Sequence, residues 1–397
     1  MKPDVKTAPF EGVSLESLHR NAGLRRRLFP ITDREVFLAH AGVSPLPQPA
    51  VDAIIAEARN AALMHQEVDF RIRLDRAREA AARLFGVLPS EVALLGPTSL
   101  GLGLIANGLD WRPGDEVVFY DDDYPANVYP WRDLERAGVR PVPLRPERLG
   151  EITPELVAAA ATPRCRLVAL ASAHFLSGKP IDVTAIGRVA HAAGALFSLD
   201  GIQTLGAVRT PLEEADFVAA DSHKWMLGPL AAGILIVKER AQGRLRPAIL
   251  GADNIRSPHF IAAKTIEPIE GAARYESGVR NMLGIVGMTA SLELLASVGI
   301  DAIEEHLLRL RRLAVASLRD AGFEFLAADP ENCRGGILTF RKPGAQMKRL
   351  FAALAENRVT ASLRWTRDGT EWIRFSPHLY TTEEDIARSV EILTRKA

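Results

Sequence analysis

ALFSLDGIQTLGAVRTPLEEADFVAADSHKW, residues 195–225, decides the fold. Two short apolar runs within it, 195–199 and 216–220, read as buried parallel strands: they lack the in-and-out alternation of a strand with one wet face. Each delivers polar side chains at its carboxyl end, Asp200 and Gln203 after the first and Ser222, His223 and Lys224 after the second. Ligands of open α/β sheets sit at those ends, so the stretch places a carboxylate and an amine at one candidate site.

The same rhythm extends outward in both directions. Strand signals at 92–95, 116–120, 167–171 and 233–237 alternate with helix signals after Thr98, from about Ala126 and from about Val183. Such alternation predicts an α/β architecture, a mostly parallel sheet with helices on both faces. Upstream, VFLAHAGVSPLPQPA (36–50) reads as a short strand and an extended loop, followed by helices from about Val51 and over 75–85. Residues 251–278 lose the rhythm. From Leu283 a long helical region runs to Ala321 with a break near Val298-Gly299; strands at 336–340 and 372–375 and a helix from about Glu383 then predict a smaller α+β domain. The expected organisation is an N-terminal arm (1–35) packing with the small domain, a large domain (36–258), a linker (259–282) and a small C-terminal domain (283–397).

Composition narrows the function. With 47% apolar and 25% charged residues, and Lys plus Arg equal to Asp plus Glu at 49 each, the chain carries no net field to gather it on nucleic acid or an anionic membrane. A small-molecule partner is expected. Residues 1–29 are charged throughout and no apolar stretch is long enough to span a bilayer, so a cytoplasmic location is expected. Cys165 and Cys333 are too few for a disulfide framework and match no zinc spacing; no metal site is expected.

A lysine that can form a Schiff base, and an aspartate that can hold a pyridinium nitrogen protonated, are the two protein groups that pyridoxal phosphate (PLP) requires. GPTSLGLG (96–103) follows an apolar strand and opens a helix, where free N–H groups and the helix dipole favour a phosphate. Thr98 and Ser99 add hydroxyls, although a Thr at that place also serves as an ordinary N-cap. The glycine spacing is not a dinucleotide fingerprint, which argues against a nucleotide-dependent enzyme.

With Ser172, His174 and Gly178, then Asp200 and Gln203, then His223-Lys224-Trp225 followed by Gly228, Pro229 and Gly233, the chain resembles the class V aminotransferase family of PLP fold type I. That group includes cysteine desulfurases, kynureninases and isopenicillin N epimerase-like proteins. The resemblance implies a seven-stranded large-domain sheet, PLP bound covalently on Lys224, and Asp200 on the ring nitrogen. It further implies Gln203 at the ring hydroxyl, Gly96, Thr98, Ser99, Ser222 and His223 around the phosphate, and Ser172 and His174 beside the cofactor. Tyr124, in DDDYPANVYPW, falls where the family stacks an aromatic on the ring; desulfurases have His there. In WIRFSPHLYTTEED, Arg374 matches the arginine that clamps a substrate carboxylate. Ser362 and Arg364 fall in the loop that carries the desulfurase cysteine, which this chain lacks, so Arg364 is expected to meet a second acidic group. His40 and Ala41 match the loop lining the substrate mouth. ARYESGVRN, with Gly278 and Val279 where Thr is common, matches the part of the phosphate pocket lent by a neighbouring subunit, which implies a homodimer.

The expected function is therefore a PLP enzyme acting on an amino acid or amine. Transamination is the family default; C–S (β-) lyase and epimerase chemistry share the same residues. A catalytically silent regulatory protein on this scaffold is the alternative from another class, and the retained Lys224 and Asp200 argue against it.

Overall fold

The computed structural model describes residue 10 and residues 12–396. Residues 1–9 and 11 of the arm and residue 397 lie outside the described residues. The large domain is built on seven strands: β1 (Val92–Leu95), β2 (Glu116–Tyr120), β3 (Arg140–Leu144), β4 (Cys165–Ala171), β5 (Leu196–Asp200), β6 (Phe217–Asp221) and β7 (Gly233–Val237). Their order is β1-β7-β6-β5-β4-β2-β3, and only β7 runs against its neighbours. The alternation of side chains explains why these strands read as continuous apolar runs. Val118, Tyr120, Val218 and Ala220 fill the core on one face, while Val117, Phe119, Phe217 and Ala219 fill the core on the other. Neither face needs polar residues.

Strand β3 gives no such signal in the sequence. Its segment, RPVPL, carries prolines at 141 and 143, which cannot donate to a ladder, and it forms only because it lies at the sheet edge beside β2.

Helix α2 (Phe70–Phe85) covers one face and α3 (Thr98–Gly108) packs on the other, while α1 (Gln48–Leu63) lies outside the sheet layer. The long helical region divides, as expected, at Gly299 into α4 (Met282–Val298) and α5 (Ile300–Asp320). The division between domains is less simple than a boundary at 283. Ile285, Met288 and Leu292 of α4 join the large-domain core with Leu74 and Ala77 of α2, and Gly287 lies so close to α1 that a Cβ there would stand 2.9 Å from Ile54. Helix α4 therefore belongs to the large domain by packing; its apolar composition alone could not say against which domain it is buried.

The small domain holds four antiparallel strands, β8 (Glu324–Phe325), β9 (Leu338–Arg341), β10 (Ser362–Trp365) and β11 (Glu371–Phe375), in the order β10-β11-β9-β8. The described part of the arm packs at the junction of the domains: Leu18, Leu28 and Phe29 meet Trp225 and Val208 on one side and Leu307 and Tyr380 on the other. Among the described residues no single helix is long and apolar enough to cross a membrane.

Candidate active site

Strands β5 and β6 are parallel neighbours, so their carboxyl ends lie side by side and Asp200 and Lys224 share one cleft. Lys224 is held by a tight turn whose closure depends on small residues. Gly228 N–H donates to the Ser222 carbonyl (2.8 Å) and Leu227 N–H to the Lys224 carbonyl (3.2 Å), and a Cβ on Gly228 would lie 2.2 Å from Ser222 Oγ. Ser44, from the loop after the short strand Val36–Phe37, donates from N to the His223 carbonyl (2.8 Å) and from Oγ to the Lys224 carbonyl (2.6 Å). The backbone of the lysine is thus fixed while Nζ, in a side chain only 7% exposed, has no hydrogen-bond partner among the described residues. Burial lowers its pKa to about 8; Asp200 opposes that shift, while Arg374 and Arg364 add to it.

Asp200 is 3% exposed. One carboxylate oxygen accepts from Ile202 N–H (3.0 Å) and the other has no partner, and burial pushes the carboxyl up to about 6. Gln203 is oriented by Trp225: its Oε1 accepts from the indole Nε1–H (3.0 Å), which turns the amide nitrogen toward the Ala41 carbonyl at 3.4 Å and leaves a second N–H free. The same Trp225 ties both domains together, since its carbonyl accepts from His378 Nε2 (2.9 Å) and its ring fills the space over Gly336. Tyr124 stands beside the amine, its ring centroid 5.2 Å from Lys224 Nζ.

Thr98 opens α3, whose N-cap Pro97 gives no side-chain cap. Its Oγ1 accepts from Asp221 N–H (2.9 Å), so its own proton remains available, as do the first N–H groups of the helix. Gly96 is required just before: a Cβ there would stand 2.7 Å from the Ala231 carbonyl carbon. Ser99 is exposed on the same turn. His223 Nδ1 lies 3.1 Å from Asp221 Oδ2 without the alignment of a hydrogen bond.

The two arginines come from the small domain. Ser362 pairs with Arg374 across β10 and β11, so Arg364, two residues along, projects from the same face, while Leu363, Ile373 and Phe375 line the small-domain core. The expectation of a loop at Ser362 and Arg364 is thereby corrected: both lie on β10. Arg374 is 1% exposed, and Nη1 donates to the Phe175 carbonyl. Its Nε and Nη2 are buried and have no hydrogen-bond partner among the described residues. Burial, with Arg364 nearby, lowers this guanidinium to about 9. An unpartnered buried cation costs several kcal/mol by rough reckoning, so the arrangement calls for an anion.

Several expected residues turn out to be engaged elsewhere. His40 does not line the substrate mouth: it is wholly buried, with Nδ1 on the Ser376 carbonyl (2.8 Å) and Nε2 on Tyr380 Oη (2.7 Å), and burial holds it well below the usual histidine range. Ala41 is buried too, and meets the site through its carbonyl on Gln203. His174 accepts at Nδ1 from Ser177 N–H (3.1 Å), which assigns its proton to Nε2 for donation to the Asp122 carbonyl (3.0 Å). It fastens one loop to another. Ser222 donates to the Pro229 carbonyl (3.0 Å) and so closes the turn rather than offering its hydroxyl. Ser172 accepts from Thr204 Oγ1 (2.8 Å) and keeps its own proton. Gly278 and Val279 lie on the outside of this chain, Val279 being 94% exposed.

Asp123 is the residue that sequence patterning missed. It accepts from Tyr124 N–H (2.7 Å) and Asn127 Nδ2 (3.1 Å), and burial followed by the Asp200 charge pushes its carboxyl up to about 7. Within a run of three aspartates no spacing marks it out; its position just beyond the carboxyl end of β2 is the one available sign.

The donor set fits PLP: a buried free amine, a carboxylate with one open oxygen, an oriented amide, an aromatic ring and a helix start with a free hydroxyl. Comparison with known proteins agrees. Residues 36–388 match the family described as Aminotransferase class-V. A probable cysteine desulfurase of Methanothermobacter thermautotrophicus is 29% identical, over 79% of this chain and 80% of that protein. An uncharacterised aminotransferase of Bacillus subtilis, YcbU, is 24% identical over 94% and 97%. Among solved structures, the apo cysteine desulfurase from Thermococcus onnurineus NA1 superposes with a TM-score of 0.86 at 20% identity, covering 93% of this chain and 96% of that one. The cystine C-S lyase C-DES, in complex with its reaction product cysteine persulfide, gives 0.83 at 22%, covering 93% and 100%. The chain belongs to the class V aminotransferase family and is a PLP-dependent enzyme of fold type I.

Proposed function

We propose that this enzyme takes the α-proton from an amino acid whose carboxylate Arg374 holds. The observation that carries the proposal is the buried guanidinium with two open donors in the same cleft as Lys224. PLP, when bound, supplies a sink for the electrons left on the α-carbon. Lys224 Nζ is its attachment point and the group that moves the proton, a task suited to an amine whose pKa burial has brought near neutrality. With PLP bound, Asp200 would hold the ring nitrogen charged through its open carboxylate oxygen, Gln203 would meet the ring hydroxyl and Tyr124 would stand beside the ring. Thr98, Ser99 and the free N–H groups of α3 take the phosphate, with His223 at their side. Gly278 and Val279, exposed here, reach the phosphate of a second copy, so the active species is a homodimer in the cytoplasm; a fully active monomer in sedimentation velocity would refute this.

For the outcome of the reaction, cleavage of a bond at the β-carbon, as in a C–S lyase, is favoured over the transamination expected from the family default. Relatives are named cysteine desulfurase, one solved neighbour is a cystine lyase, and Arg364 stands ready for a second anionic group. No cysteine lies in the β10–β11 hairpin, and Cys165 and Cys333 are both buried elsewhere, which argues against persulfide formation on the protein. Incubation with L-cystine, L-cysteine, L-aspartate and L-alanine tests this. Pyruvate with a persulfide or sulfide identifies the lyase, pyridoxamine phosphate the transaminase, and no product from any of the four sinks both.

A further inference from the structure

The β10–β11 hairpin touches the large domain at two places. At its base, Arg374 donates to the Phe175 carbonyl of the loop after β4, and beside it Thr339 Oγ1 of β9 donates to the Leu176 carbonyl and Cys333 Sγ to that of Gly178. At its tip, Arg367 donates from Nε to Asp122 Oδ1 (3.0 Å) and from a terminal nitrogen to the Asp121 carbonyl (3.1 Å). Arg364 lies between these two anchorages and, among the described residues, has only the neighbouring Leu363 carbonyl as a hydrogen-bond partner.

Both ends of the tip contact are rigid. In the turn, Thr366 N–H donates to the Thr370 carbonyl (3.0 Å), and Asp368 Oδ1 accepts from Thr366 Oγ1 (2.6 Å) and Thr370 N–H (3.1 Å). On the other side, the Asp122 carbonyl is held by His174, and Asp123 accepts the N–H of Tyr124. A pull on Asp122 is thus a pull on the ring beside Lys224.

We propose that Arg367 is a positioning residue for substrate: through Asp121 and Asp122 it fixes how far Arg364 stands from the Tyr124 ring, and so which length of doubly anionic amino acid the cleft accepts. The proposal rests on the function given above. It separates two kinds of ligand. An amino acid with a second acidic group reaches Arg364 and feels the strap; glycine, with none, meets only Arg374 and does not.

The experiment uses the PLP-loaded enzyme and the variants Arg367→Gln and Asp122→Asn. Amide hydrogen exchange reports the strap itself: both variants should speed exchange in 121–124 and in 366–370 together. Titration of the visible PLP band with L-aspartate and with glycine reports positioning. Affinity for L-aspartate should fall roughly two- to five-fold, the range of a partly exposed charged pair, with glycine affinity and the starting spectrum unchanged. The double variant should be no worse than either single one. Unaltered exchange overturns the strap, and equal losses for both amino acids, or none for L-aspartate, overturn the positioning role. If L-aspartate does not move the band of the unmodified enzyme, the positioning role is overturned; L-cystine titrated in parallel judges the proposed function separately.

Discussion

Replacing Asp200 with Asn should stabilise the cofactor-free protein, and the gain should grow with pH. Burial raises the folded-state pKa of this carboxyl from 3.8 to about 6, so between those values the folded chain holds more protons than the unfolded chain. Stability is therefore lost as pH rises through that window, the reverse of a salt-bridged carboxylate. Working the linkage through, the loss is roughly 2 kcal/mol at pH 5 and roughly 3 kcal/mol at pH 8. Asn removes it while keeping an oxygen for Ile202 N–H. Asp123, raised in part by the Asp200 charge, relaxes downward in the variant and adds to the effect with the same sign. Urea unfolding of both proteins at pH 5 and pH 8 is the assay. The variant's advantage should widen by roughly 1 kcal/mol, about five- to tenfold in the folding constant. A difference that stays flat across that range, or narrows, would refute the idea that an uncompensated carboxylate is kept in the site for the cofactor.

Arg374→Ala should leave the visible band in place but raise KM for the amino acid substrate by roughly 10- to 100-fold, the worth of a buried charged hydrogen-bond pair; unchanged KM would show that the carboxylate binds elsewhere. The rate at which the cofactor-free chain captures PLP should climb with pH and level off above about 8, as Lys224 loses its proton. In Arg374→Ala that plateau should move to higher pH, because the arginine's charge helps to lower the lysine; a plateau moving down would overturn the assignment. Gly96→Ala should lose about 1–3 kcal/mol of stability, read as a drop in unfolding midpoint, since its Cβ would meet the Ala231 backbone at 2.7 Å; an unshifted midpoint would contradict the close approach.

The parallel core was legible because strands buried on both faces have no choice but apolar residues, as Phe217 to Ala220 illustrates. Strand β3 was not, since its prolines signal only that it must be an edge. That Lys224, Asp200 and Arg374 would come together was legible because strand ends and flanking residues mark them. His40 and Ser222 misled for a shared reason: a polar side chain close in sequence to a site can equally be spent on a neighbouring carbonyl or hydroxyl, and only coordinates show which. Asp123 was hidden in a run of three aspartates, marked only by its place just beyond β2, and Arg367 was invisible because its partner lies 245 residues away.

Trp225, whose indole orients Gln203 and whose carbonyl receives His378 from the small domain, places the Lys224 amine beside a bolt common to both halves of the molecule. Neither half can shift without moving the amine. Loss of function in this protein should therefore not map onto the cleft alone: a random screen for inactive yet soluble variants should return Gly336 and His378, which touch no substrate, alongside Lys224.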